Sequence, residues 1–220
     1  MSRYWICLFF LFVFSLTIKV VAEEVRVTGN KVWGDTDKKI NFLEGDVRFV
    51  QGSTIITTEK ARVDLDQNSA VFEENVKLTH PEVTIKSDTL EYDLKKKVGT
   101  FKTKVVMNRI KTKATKDQKA KDPFKLLTEQ LYFENDTKNF SAQNGRIEHK
   151  DFTGEADIID YNDKLQELSL RDNAKLIRPK GEIIKGKLIV INVSDKSFIV
   201  TDSVDMEFEV EEEETNSGEK

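Results

Sequence analysis

Cysteine is almost missing from this sequence. The one cysteine in 220 residues, Cys7, lies inside an apolar N-terminal run. A chain cut after that run has no thiol, which excludes disulfides, thiolate metal sites and a cysteine nucleophile from the remainder. Proline and glycine are also sparse, at 3 and 10 residues, which argues against a collagen-like or wholly disordered chain. There is no basic excess. The formal charge is −4, so the electrostatic footprint of a nucleic-acid binder is lacking. Histidine is confined to His80 and His149, 69 positions apart and each among polar neighbours. A metal site built on both would need a converging carboxylate, so two surface histidines are the simpler expectation. No G-x-S-x-G, phosphate-binding glycine loop or H-E-x-x-H occurs, and no carboxylate pair sits in a distinctive motif. The expectation is a protein that is not an enzyme, with no catalytic residue, no cofactor and no metal.

What is present begins with an export pattern. Arg3 precedes an apolar run from Tyr4 to Ile18, and Val20-Val21-Ala22 offers a small-residue exit before Glu23. That order of basic start, apolar core and small-residue exit is a signal peptide. The run is about 15 residues, short of the roughly 20 that a spanning helix needs. Stretched across Lys19 it would serve as an uncleaved anchor, so both outcomes stay open. Cleavage would remove Arg3 and Lys19 and take the formal charge from −4 to −6. The expected organisation is a signal peptide over residues 1–22, one folded domain over 23–208 and an acidic, disordered tail over 209–220.

The folded part is repetitive. Leu43–Phe49, Phe72–Leu78, Phe101–Met107, Leu170–Leu176 and Val200–Met206 share one shape: apolar, three polar or small, apolar, any, apolar. Val47, Val76 and Val105 follow one another at intervals of 29 residues. A second element has the same periodicity: Thr58–Asp64, Ser87–Asp93, Thr128–Glu134, Ala156–Asn162 and Gly186–Asn192. Both alternate apolar and polar residues, the signature of strands with one buried face. Asn- and Asp-rich turns separate them, such as Asp66-Gln67-Asn68 and Asn162-Asp163-Lys164. No window carries a helical stripe. A strand pair cannot bury its face alone, so about six copies are expected to stack into one elongated antiparallel all-β structure. Its apolar faces would close on each other, as in a jelly roll or a flattened, folded sheet.

The fourth copy departs from this pattern. It carries an extra segment around residues 111–122 with Lys111, Lys113, Lys116, Lys119 and Lys121, read as a solvated loop or a contact for lipid phosphates. Its first element, Ala142–Ile147, puts Arg146 where other copies have valine. Either the register slips by one there, or a charge faces inward. Trp33 and Phe208, near the two ends, cap edges, meet partners or simply pack. Asn135, Asn139 and Asn192 begin N-x-S/T sequons.

The run Phe42-Leu43-Glu44-Gly45-Asp46-Val47-Arg48-Phe49, followed by a short turn, an apolar strand and Glu59-Lys60-Ala61, resembles the OstA-like family of lipopolysaccharide transport domains. The resemblance covers nearly the whole exported chain and rests on order and spacing. It implies a twisted, V-shaped antiparallel β-jellyroll whose apolar trough shields the acyl chains of lipopolysaccharide or a related glycolipid. On that reading Val25, Val27, Val47, Phe49, Val76, Leu78, Val105 and Met107 line the trough in the first half of the chain. The implied place is the periplasm, bridging the inner and outer membranes. The implied partners are OstA-like components of the inner-membrane transporter and the outer-membrane translocon, with end-to-end copies of the chain itself. A membrane-anchored component of the same export system and a dry β-solenoid scaffold remain as alternatives.

Overall fold

The structure, a computed structural model, describes residues 24–114 and 120–208. The expected signal peptide, the acidic tail, Lys116 and Lys119 lie outside the described residues. Two short strands, β1 (Val25–Thr28) and β2 (Lys31–Asp35), come first. Ten long ones follow: β3 (Ile40–Gln51), β4 (Thr54–Asp64), β5 (Ser69–His80), β6 (Val83–Asp93), β7 (Val98–Arg109), β8 (Phe124–Glu134), β9 (Phe140–His149), β10 (Phe152–Asn162), β11 (Glu167–Ile177) and β12 (Ile183–Asn192). The short strands β13 (Phe198–Thr201) and β14 (Asp205–Glu207) end the sheet. Each strand of the path from β3 to β13 pairs antiparallel with its chain neighbour in one continuous sheet. At one end β1 and β2 both pair with β3, and at the other β13 and β14 both pair with β12. The six first elements of the repeat are β3, β5, β7, β9, β11 and the broken β13–β14; the five second elements are β4, β6, β8, β10 and β12.

The two layers expected from the pattern are two limbs of this one sheet, and the fold between them has a local cause. In the middle of the odd-numbered strands two successive residues adopt the left-handed conformation: Gly45-Asp46, Glu74-Asn75, Thr103-Lys104, Asp172-Asn173 and Asp202-Ser203. The odd strand there carries one residue more than its neighbours, so the pairing register shifts, for example between Glu44 and Val47. Such an extra residue bends a strand and interrupts its ladder. Glycine, asparagine and aspartate tolerate the left-handed region, which is why these types recur at the position the sequence marks as small or polar. The even strands supply the carbonyl partners the crease would otherwise lose. Thr58 Oγ1 donates to the carbonyls of Glu73 and Glu74 at 2.6 and 2.9 Å. Ser87 Oγ donates to Thr89 O at 2.8 Å, and Thr128 Oγ1 to Gln130 O at 3.1 Å. The opening residue of the second element is therefore a crease hydroxyl in three copies.

The fourth copy is one residue shorter at the crease. Only Asn144 is left-handed there, and β9 pairs with β8 and β10 without a register shift. The slip resolves the Arg146 ambiguity: Ile147 is buried, while Arg146 points outward and pairs with Glu148 at 3.3 Å and with Glu155. Gly145 takes the place that valine holds in other copies. A Cβ there would come within 2.8 Å of Ile159 Cδ1.

Creasing brings the inner faces of the two limbs together. Phe49, in the limb that holds the turn at residues 52–53, packs against Phe72 and Tyr92 of the other limb, with centroids 5.5 and 6.0 Å apart. Phe124 meets Phe140 and Tyr161 in the same way. One continuous core results, running from Leu43 to Val193. Among the described residues no helix is long and apolar enough to cross a membrane.

Candidate functional site

The interior between the limbs collects most of the residues that the sequence marks. Val47, Phe49, Val76, Leu78, Val105 and Met107 all face inward and are at most 1% exposed. Val27 packs half-buried against this core from edge strand β1, and Val25, on the same strand, is 39% exposed. The pattern continues into the second half with Leu126, Ile147, Leu176 and Ile184. The interior is occupied by its own side chains, so a guest has to part the limbs.

Opposite the crease, the tips of the two limbs meet and form a mouth. A row of polar side chains closes it: Gln51, His80, Arg109, His149 and Arg178, the last or next residue of each odd strand. Three of the four intervals are 29 residues and the insertion lengthens the other to 40. Tyr92 Oη donates to Gln51 Oε1 at 3.3 Å, and Gln51 Nε2 donates to Leu94 O at 2.9 Å. Four strands further on the same rung returns with a charge. Arg109 donates to the Tyr161 hydroxyl and to Asp163 Oδ1, the latter at 2.8 Å. Its guanidinium lies 5.4 and 5.0 Å from the ring centres of Phe124 and Tyr161. Lys121 pairs with Asp163 and, at 3.2 Å, with Glu82. The side chains of Arg109, Lys121 and Asp163 are only 3%, 8% and 12% exposed. Burial pushes the Tyr161 phenol up to about 12, against the opposing pull of Arg109. A polar groove of about 790 Å³ runs along the mouth beside this cluster.

The histidines correct the expectation of surface residues. His149 has a fully buried side chain, and burial lowers its pKa, as it does for His80, where Lys138 adds to the effect. Both close the same kind of turn: His80 Nδ1 accepts the N–H of Glu82 at 3.3 Å, and His149 Nδ1 that of Asp151 at 3.2 Å. His149 also forms, with Asp122 and Asp151, a group whose ligand atoms lie within 4.8 Å of one another. Lys150 and Lys196, each 3.0 Å from one of those carboxylates, already supply the positive charge. With Nδ1 engaged as an acceptor, the neutral ring keeps its proton on Nε2, so the group reads as an ion network rather than a cation cage. Among the sequon residues, Asn135 is buried and donates to Thr54 Oγ1, and Asn139 and Asn192 accept turn N–H groups from Asp163 and Ser194.

The sequence reading found the interior and missed the mouth. The alternation marks inward apolar positions, whereas the row of Gln51, His80 and Arg109 looks like ordinary strand ends. The signal that would have found it is the 29-residue interval itself, followed through polar positions. Lys121 belongs to this network and is buried, which removes it from the solvated loop expected for the lysines of the insertion.

A search of curated proteins finds no match. Among solved structures the chain is similar to LptH, the LptA homologous periplasmic component of the conserved lipopolysaccharide transport device from Pseudomonas aeruginosa. The identity is 16% and the TM-score 0.25, over 86% of this chain and 96% of that one. The model of the LptA/(LptD N-terminal domain) LPS transport protein family matches residues 26–197, most of the chain and every long strand of the creased sheet. The chain thus belongs to the LptA/(LptD N-terminal domain) family of lipopolysaccharide transport proteins.

Proposed function

We propose that this protein carries lipopolysaccharide, or a related glycolipid, through the periplasm by holding its acyl chains between the two limbs of the creased sheet. The observation that carries the reading is the unbroken apolar interior, which passes through every copy of the repeat from Leu43 to Val193. Each buried methylene of an acyl chain is worth about 0.8 kcal/mol, so a long apolar cleft suits that guest. Val25, Val27, Val47, Phe49, Val76, Leu78, Val105 and Met107 are the proposed contacts in the first half. The same reading gives the ends of the sheet a role. Trp33, 45% exposed on β2, and Ile199, 67% exposed on β13, lie on edge strands whose backbone groups are open to a further strand. End-to-end copies, an OstA-like inner-membrane component and an outer-membrane translocon are the proposed partners, with the chain bridging the two membranes.

A photo-crosslinking residue placed at Phe49 or Met107 is expected to label lipopolysaccharide in cells. Labelling no stronger than at Lys95, an exposed turn residue, rejects the carrier. The filled interior supports a second reading, a scaffold with a dry core. Native mass spectrometry separates the two, because a carrier retains or accepts lipid and a scaffold does not.

A further inference from the structure

We propose that Arg109, Lys121, Tyr161 and Asp163 form a releasable latch across the mouth of the creased sheet, and that its opening admits an acyl chain. The proposal rests on the carrier reading above. Arg109 and Lys121 come from the tip of one limb, Tyr161 and Asp163 from the tip of the other, so the bonds of Arg109 to Tyr161 and Asp163 and of Lys121 to Asp163 span the mouth. The cluster stands near the middle of the strand order, between β7 and β10.

Its chemistry is suited to opening. An apolar contact at the mouth would lose its full burial energy when the limbs part. A buried ion pair behaves differently, because the desolvation of its charges offsets much of their attraction. When the limbs separate, Arg109, Lys121 and Asp163 regain water, so opening here costs little. When the limbs close, the directional bonds fix which strand tip meets which. The neutral Gln51–Tyr92 rung holds the corresponding position four strands earlier with no ion pair. The charged rung is also the one beside the insertion, where β7 and β8 are joined by 14 residues instead of a tight turn.

The test reads opening and lipid uptake separately. In a Cys7→Ser background, Met107→Cys is the only thiol, and it reports access to the interior. Asp163→Asn leaves Arg109 buried without its carboxylate and Lys121 with only Glu82 of its own limb, and is expected to raise the rate of thiol labelling by about tenfold. The milder Tyr161→Phe, which keeps the ring and the packing, should raise it by a smaller factor. Replacing the cluster by apolar residues, Arg109→Met with Lys121→Met and Asp163→Leu, should lower the rate below that of the parent. Ile189→Val, buried away from the cluster, serves as the control for general loosening. Uptake of a fluorescent fatty acid, measured with the same mouth variants on a chain that retains Met107, should follow the labelling rates. The latch is overturned if Asp163→Asn labels no faster than the control, or if uptake does not follow labelling. If labelling responds as expected but the parent takes up no fatty acid at any concentration, the mouth closure stands and the carrier reading fails.

Discussion

At the scale of single residues, two histidines, one half-buried and one with a buried side chain, do the work of turn-formers. His80 and His149 accept an N–H from two positions ahead, as asparagine or aspartate would in an Asx turn. Burial lowers both pKa values, so the folded chain takes up these protons less readily than the unfolded one. Their contribution to stability is present above the ordinary histidine value of about 6.5 and is lost as pH falls through the depressed values. Glu82 and Asp136 around His80, and Asp151 and Asp122 around His149, oppose the shift without reversing it. The urea midpoint is expected to fall between about pH 7.5 and about pH 5.5. The double variant His80→Asn and His149→Asn keeps an acceptor for each turn N–H and should remove most of that fall. A fall of equal size in the variant would assign it to other groups.

At the scale of the element, the creased strand is the unit of the fold. Its two left-handed residues are well chosen in Gly45-Asp46 and Asp172-Asn173 and poorly chosen in Thr103-Lys104. Thr103 is β-branched, exposed and held at φ 67°, so it contributes strain with no packing in return. Thr103→Asn is expected to stabilise the protein by about 1 kcal/mol, seen as a higher thermal midpoint. An unchanged or lower midpoint would mean that the threonine makes a compensating contribution. The strands themselves were legible in the sequence, since alternation at Val47-Phe49 or Ile189-Ile191 needs only a period of two. The crease was visible as a recurring small or polar position. Its meaning was not, because a left-handed pair and a surface turn draw on the same residue types. The mouth was least legible: the partners of Gln51 and Arg109 lie 41 and 52 residues on, in other copies. No local pattern encodes a pairing across three strands.

At the scale of the molecule, the sheet has two open ends. The β1–β2 end carries exposed Val32 and Trp33, and the β13–β14 end exposed Ile199, Val204 and Met206. Trp33 is stacked on Phe42 with centroids 5.7 Å apart, so this end is apolar but ordered. Open edges bearing apolar residues invite strand pairing, and a lysine on an edge strand is a common way to block it. Concentrated wild-type protein is expected to show a mass that grows with concentration in sedimentation experiments. Ile199→Lys should shift that growth to higher concentration. A wild-type mass that stays monomeric, or a variant that matches it, removes end-to-end pairing.

By itself, the sequence determined the all-β class, the 29-residue period, the inward apolar positions and the absence of any thiol after Cys7. Each of these follows from composition or from a short-range period. Tertiary structure decided three further things. It made the two expected layers into one folded sheet, because the extra left-handed residues bend each odd strand. It turned Arg146 outward, because β9 lacks one of those residues. It placed Arg109 and Lys121 inside, because the facing limb brings Asp163, three strands later, to the mouth, where a buried charge finds its partner.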